Sequence, residues 1–189
     1  MKTQIKLFSV LALFIVGAFI TQSCDKVKDA VAFNVDQDLP AHHFDLDSAS
    51  TTSKGETVLY SSYYQIDMDS VFEANDIDKG KISEGKFKEI MIEINNPTAK
   101  MNFGFLSTIS FRLGMDENPE KAVTIASADG INPGDVKIVF QVNSENMDKY
   151  LEQNKFYFYV FGTLEKEVPV NKLPLIIKSK VQFKVSPLK

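Results

Sequence analysis

The chain has 189 residues, 44% of them hydrophobic, with 21 basic against 25 acidic side chains and a net charge of −4. These proportions belong to an ordinary globular domain, and the scattered Lys residues form no basic stripe of the kind nucleic acid requires, so nucleic-acid binding is excluded. A single Cys, no Trp and two adjacent His exclude disulfide scaffolds, Cys-rich zinc sites and most imidazole catalysis.

Residues 1–23 differ in composition from the rest. Lys2 and Lys6 form a basic start, and Leu7 to Ile20 is an apolar run broken only by Ser9. That is the pattern of a secretory signal. Fourteen helical residues rise about 21 Å, short of the ~30 Å hydrocarbon core, so the run is too short to serve comfortably as a transmembrane anchor. Directly after it stands Thr21-Gln22-Ser23-Cys24.

This tetrapeptide resembles the lipobox of bacterial lipoproteins, in which a small residue precedes a Cys that is acylated and becomes the new N-terminus. Thr21 and Gln22 replace the usual Leu and small residue of that motif. The resemblance implies a thioether-linked diacylglycerol on Cys24 and cleavage after Ser23. It also implies a membrane partner through the N-terminal lipid, since two or more acyl chains anchor a domain stably where one does not. Asp25 resembles an inner-membrane retention signal of some bacteria, a rule that does not transfer everywhere, and the outer membrane is favoured over the inner. Loss of 23 of the 189 residues leaves 166 and, with Lys2 and Lys6 gone, a charge of −6. A chain of that length can bury a sufficient core without disulfides.

Residues 24–29 read as a short charged tether, and residues 30–189 as one domain. Val31, Phe33 and Val35 alternate with polar or small neighbours as a first strand. Residues 37–54, with Pro40, His42, His43 and the run from Ser48 to Ser53, read as a mobile loop in which Phe44 and Leu46 can add a short edge pairing. Period-two rows follow: Val58, Tyr60, Tyr64, Ile66 and Met68; Ile90, Ile92 and Ile94; Ile109, Phe111, Leu113 and Met115; Val136, Ile138, Phe140 and Val142. Val123 and Ile125 mark a shorter strand. The last is the clearest, with Leu173, Leu175, Ile177, Val181, Phe183 and Val185 on one face, broken only by Ser179, and Lys178, Lys180, Gln182 and Lys184 on the other. Short helices are predicted over Val71 to Asn75 and Glu145 to Gln153, each capped by a Ser.

Seven to nine strands joined by connections too short for crossover helices predict an all-β fold, an antiparallel β-sandwich of immunoglobulin-like or fibronectin-like type with one or two short helices; a closed barrel is the alternative. Ile92 to Thr98, Asn102 to Leu106 and Met147 to Leu151 resemble segments of uncharacterised Gram-negative envelope lipoproteins with such sandwiches. That resemblance carries no activity.

Candidate chemistry is sparse. Gly80 to Phe87 matches P-loop spacing through its Lys but has Phe where Mg²⁺ needs a hydroxyl, and it leads into a strand. Asp67, Asp69, Asn75, Asp76 and Asp78 fail the EF-hand spacing and read as solvated acids. His42 and His43, adjacent in an extended segment, point oppositely and do not make a metal pair. No metal or cofactor is expected. With no G-x-S-x-G elbow and no thiol, the chain is expected not to be an enzyme, a carboxylate-based hydrolase being the remaining catalytic alternative. Asp47-Ser48-Ala49 resembles an O-glycan acceptor of some envelope lipoproteins, which nominates Ser48. The strand Phe156 to Phe161 is aromatic on both faces, so something must cover Tyr157, Tyr159 and Phe161. A central strand covered by a helix, or by loops from the opposite side, is the plainer reading; an exposed platform of Tyr157, Tyr159 and Tyr63 that stacks on sugar rings or seats a partner is the sharper one. The expected role is a lipid-anchored envelope domain that binds or supports a protein or glycan partner.

Overall fold

The computed structural model describes residues 32–50, 55–67, 69–70, 73, 80–143, 147–151 and 155–187. The leader, Cys24 and the tether lie outside these residues, as do most of the helix expected from Val71 and the acids Asp76 and Asp78.

Two antiparallel sheets make up the described fold. The first holds β1 (Phe33–Asp38), β2 (His42–Asp47), β4 (Gly80–Ile94), β7 (Lys137–Val139) and β10 (Lys172–Pro187), in the order β1-β10-β4-β7 with β2 also on β10. The second holds β3 (Gly55–Gln65), β5 (Leu106–Gly114), β6 (Val123–Asp129), β8 (Gln141–Val142) and β9 (Lys155–Leu164), in the order β3-β9-β5-β6-β8. The helical elements that lie wholly within the described residues are two 3₁₀ turns, Ser48–Ser50 and Pro119–Lys121, and a single helical turn, α1 (Asp148–Leu151); Asp69, Ser70 and Glu73 are helical as well. The expected antiparallel all-β sandwich is therefore present.

Its strand order is not that of an immunoglobulin-like sandwich, which sets the first strand beside the second. With β1 and β2 taken as one interrupted strand, and β7 and β8 as another, the first pairs with the last (β10). The next pairs nest inside it: β3 with β9, β4 with β7, and β5 with β6. This is jelly-roll winding. Strand spacing fixes how many antiparallel elements there are; the choice of partner lies in side-chain packing across the core, which spacing does not encode.

The segment expected as a mobile loop is largely ordered into the first sheet. Pro40 interrupts pairing without ending it, because Leu39 and Leu46 are buried and Phe44 stacks on Tyr60 at 4.1 Å between ring centroids. His42 to Asp47 pairs along β10 from Ile177 to Lys172. Residues 51–54 lie outside the described set.

A bulge, a strand end and a change of sheet account for three misplaced apolar residues or rows. An extra residue at Leu59 shifts the register of β3 on β9, so Leu59 packs inward and Val58 turns out to solvent. Met115 lies beyond the end of β5 and is exposed. The row from Val136 to Val142 is one run in sequence but serves both sheets: β7 pairs with β4, Phe140 donates its N–H to Ile90, and β8 then pairs with β6. Such strand switching lets one chain segment close the end of a sandwich.

The core lies between the sheets. Phe158 stacks on Tyr64 at 4.6 Å and on Phe111 at 5.2 Å, and Phe183, Ile90, Ile92 and Ile109 are fully buried around them. Tyr64 Oη and Ser179 Oγ share a hydrogen bond of 2.8 Å across the core. The one break in the last strand's apolar row is thus a polar partner for a buried phenol.

Candidate functional site

The outer face of the second sheet carries the three Tyr residues nominated from sequence. Alternation along β9 sends Phe156, Phe158 and Val160 into the core and Tyr157, Tyr159 and Phe161 outward. What covers that outer row is not the helix. α1 packs its Tyr150 against Phe156 on the inner face, at 6.0 Å, and Met147 donates its N–H to Gly85 on β4, so this segment plugs the end of the core. The expectation that it folds over the Tyr pair is corrected: Met147, just before the helical turn, and Tyr150 within it are both buried toward the core.

The cover over Tyr159 comes from the connection between β5 and β6. Tyr159 is 3% exposed, and its hydroxyl donates to the Asp116 carbonyl at 2.8 Å. Gly114 makes the approach feasible, since a Cβ there would stand 3.1 Å from the Tyr159 ring. Burial pushes the Tyr159 phenol above its ordinary pKa, with Asp116 and Glu117 adding to the effect. Asp116 is itself held low, chiefly by the Asn118 N–H and then by Lys121. Phe161 is covered by the Arg112 guanidinium, 3.8 Å from the ring centroid, and Arg112 is in turn ion-paired to Glu56. These rings belong to the scaffold.

Tyr63 and Tyr157 remain accessible. Tyr63 is 46% exposed, Tyr157 half-buried, and their rings meet edge to face at 6.2 Å and 63°. The Lys155 ammonium lies over both, at 4.2 Å from Tyr63 and 4.7 Å from Tyr157, and contact with Tyr157 raises its pKa. Tyr157 also donates to Glu117 at 3.0 Å. The three Tyr do not form one flat exposed plane, and a cation already occupies the faces a sugar ring would need.

Ser48 opens a 3₁₀ turn after β2, with its N–H donated to the Asn171 carbonyl at 3.1 Å; Asp47 and Ala49 beside it are exposed and Ser48 is half-buried. Asp47, Ser48, Ala49, Asn171 and Lys172 line an open surface depression. Of the acidic cluster, Asp67 is satisfied locally by the N–H groups of Asp69 and Ser70 and by the Ser70 hydroxyl at 2.7 Å, which hold its pKa low. Among the described residues no three His, Cys, Asp or Glu side chains gather as a metal site. Gly80 to Phe87 lies within β4, hydrogen-bonded along β10.

The adjacent His residues separate as extended geometry requires: His43 is exposed, and His42 turns inward against Phe158 at 4.8 Å and Tyr64 at 4.9 Å. Burial first, and His43 second, depress its pKa below 6.5. The unfolded chain therefore binds this proton more readily. The His42 contribution to stability is complete above about pH 6.5 and is lost as pH falls through the lowered folded value. Urea midpoints measured from about pH 7.5 to 5 should fall with acid in the parent and fall less in His42→Phe; identical slopes would remove His42 from the acid response.

No family model and no curated protein matches the chain. Among solved structures, similarity is found to the decameric BFDV capsid protein, with 11% identity over 80% of this chain and 99% of that one, at a TM-score of 0.34. PirA is similar at 11% identity over 74% of this chain and 92% of its own, with a TM-score of 0.31. The Turnip Yellow Mosaic Virus structure gives 12% identity over 83% and 95%, with a TM-score of 0.24.

Proposed function

We propose that this chain is an exported lipoprotein whose β-sandwich is held to the cell envelope by acylated Cys24 and serves a non-catalytic binding or structural role toward another envelope component. The observation that carries the reading is the placement of Ser23-Cys24, directly after a basic-then-apolar leader and only nine positions before the first strand at Phe33. Nine extended residues reach about 30 Å, so the domain stays close to the bilayer surface. The outer membrane is the favoured location. Of the two partner classes, protein is favoured over glycan: Tyr159 is built into the scaffold, and Tyr63 and Tyr157 meet edge to face beneath Lys155. Ser48 remains a proposed O-glycan acceptor in an accessible turn.

Cys24→Ala is expected to abolish incorporation of labelled fatty acid and to move the protein from the membrane pellet to the soluble fraction. Among the described residues no helix is long and apolar enough to cross a membrane. Equal label in parent and variant would overturn the lipoprotein reading.

A further inference from the structure

The second sheet ends on β3, and among the described residues no strand pairs with its other edge. The remaining edges are blunted. β1 and β2 are interrupted at Leu39 and Pro40 and carry Asp36, Asp38, Asp45 and Asp47, β7 and β8 are three and two residues long, and the stretch of β4 before Met91 that β7 leaves unpaired carries Glu84, Lys86, Lys88 and Glu89. Acidic side chains, interruptions and short length are the ordinary defences of an open edge. β3 runs for eleven residues with no Lys, no Pro and the single charge of Glu56. It also bears two exposed large apolar side chains on its outer face, Val58 at 40% and Tyr63 at 46%.

The bulge relates these two residues by symmetry. Val58 lies opposite Phe161 on β9 and Tyr60 opposite Val160, so Leu59 is the extra residue. Counted in sheet positions, Val58 and Tyr63 each stand two places from Ser61, on opposite sides. We propose that β3 pairs antiparallel with β3 of a second copy of this chain, about a two-fold axis at Ser61. Ser61 then meets Ser61, Tyr60 meets Ser62, Val58 meets Tyr63 and Glu56 meets Gln65. Every outward residue opposes an outward one, as a shared pleat requires. The Val58–Tyr63 pair forms twice, covering both exposed side chains as direct cross-strand neighbours. Glu56 comes beside Gln65 of the second copy, the residue that Lys155 neighbours on β9, which sets opposite charges along one row. A register shifted by one residue sets outward against inward, and a shift by two separates Val58 from Tyr63. The five strands of each copy join into one continuous sheet.

The test is disulfide trapping in the full-length, membrane-inserted protein. At the axis the two Ser61 Cα atoms stand about 4.5 to 5.5 Å apart, within disulfide range. Ser61→Cys under mild oxidant should give a dimer band on a non-reducing gel. Val139→Cys, exposed on the edge strand β7, should give none, and the parent chain reports any contribution from Cys24. Tyr63→Asp added to Ser61→Cys should abolish the band while leaving the thermal midpoint in place, because it sets a carboxylate against Val58. A Ser61→Cys band no stronger than that of Val139→Cys, or one indifferent to Tyr63→Asp, overturns the pairing. So does a parent protein that sediments as a monomer in mild detergent at concentrations where Ser61→Cys is trapped.

Discussion

Phe183→Ala is expected to destabilise the domain by about 3 to 5 kcal/mol, and Lys180→Ala, three residues away on the same strand, by less than about 1. Phe183 has no exposed surface and sits between Val35 on β1 and Gly85 on β4. Gly85 has no side chain to close over the space the ring leaves, so truncation removes transfer free energy and opens a cavity that its neighbours fill poorly. Lys180 points the other way. Its ammonium lies 3.4 Å from Asp38 in an ion pair open to water on both sides, the class whose net contribution is small. Urea melts of the unlipidated variants compare the two directly. Similar midpoints would mean that the inward face of β10 is wrongly assigned and that the charged row, not the apolar one, holds the sheet.

The extent to which the fold could be read from sequence followed how much of each signal was local. β10 was legible over most of its length, because one face is buried and the other largely wet; Ile176, buried on the outer face, is the exception. β3 was legible as a strand but not in phase: a bulge inserts a residue without changing composition, so Val58 was placed with the core and Leu59 left out of it. Val136 to Val142 was read as one strand because period two continues through it. The transfer from β4 to β6 happens at Phe140, where nothing in the residue types marks a change of sheet. The immunoglobulin-like order was an inference from strand number and connection length, and neither contains the pairing of the first strand with the last. Tyr159 and Tyr157 looked equivalent in sequence, two apart on one face. What distinguishes them is non-local: Gly114 and the Asp116 carbonyl close over one, while the other shares a cation with Tyr63.

The last large effect concerns the interior hydrogen bond. Tyr64→Phe and Ser179→Ala should each cost about 1 to 3 kcal/mol, and the double variant should cost less than the sum of the two. Tyr64 and Ser179 are 1% and 5% exposed, and every buried side-chain polar atom among the described residues has a partner. Either single change breaks that state by leaving one hydroxyl buried and unpaired, whereas the double change removes both hydroxyls together. Burial pushes the Tyr64 phenol up to about 12, against an opposing pull from Ser179, so the folded chain keeps a proton that the unfolded chain gives up near pH 10. Its contribution is therefore complete below about pH 10 and is lost as pH rises through the folded value, a loss that Tyr64→Phe should not show. A thermodynamic cycle from urea melts near neutral pH, repeated at about pH 11, reads both effects. Strict additivity of the two single changes would show that Ser179 interrupts the apolar row for some reason other than Tyr64.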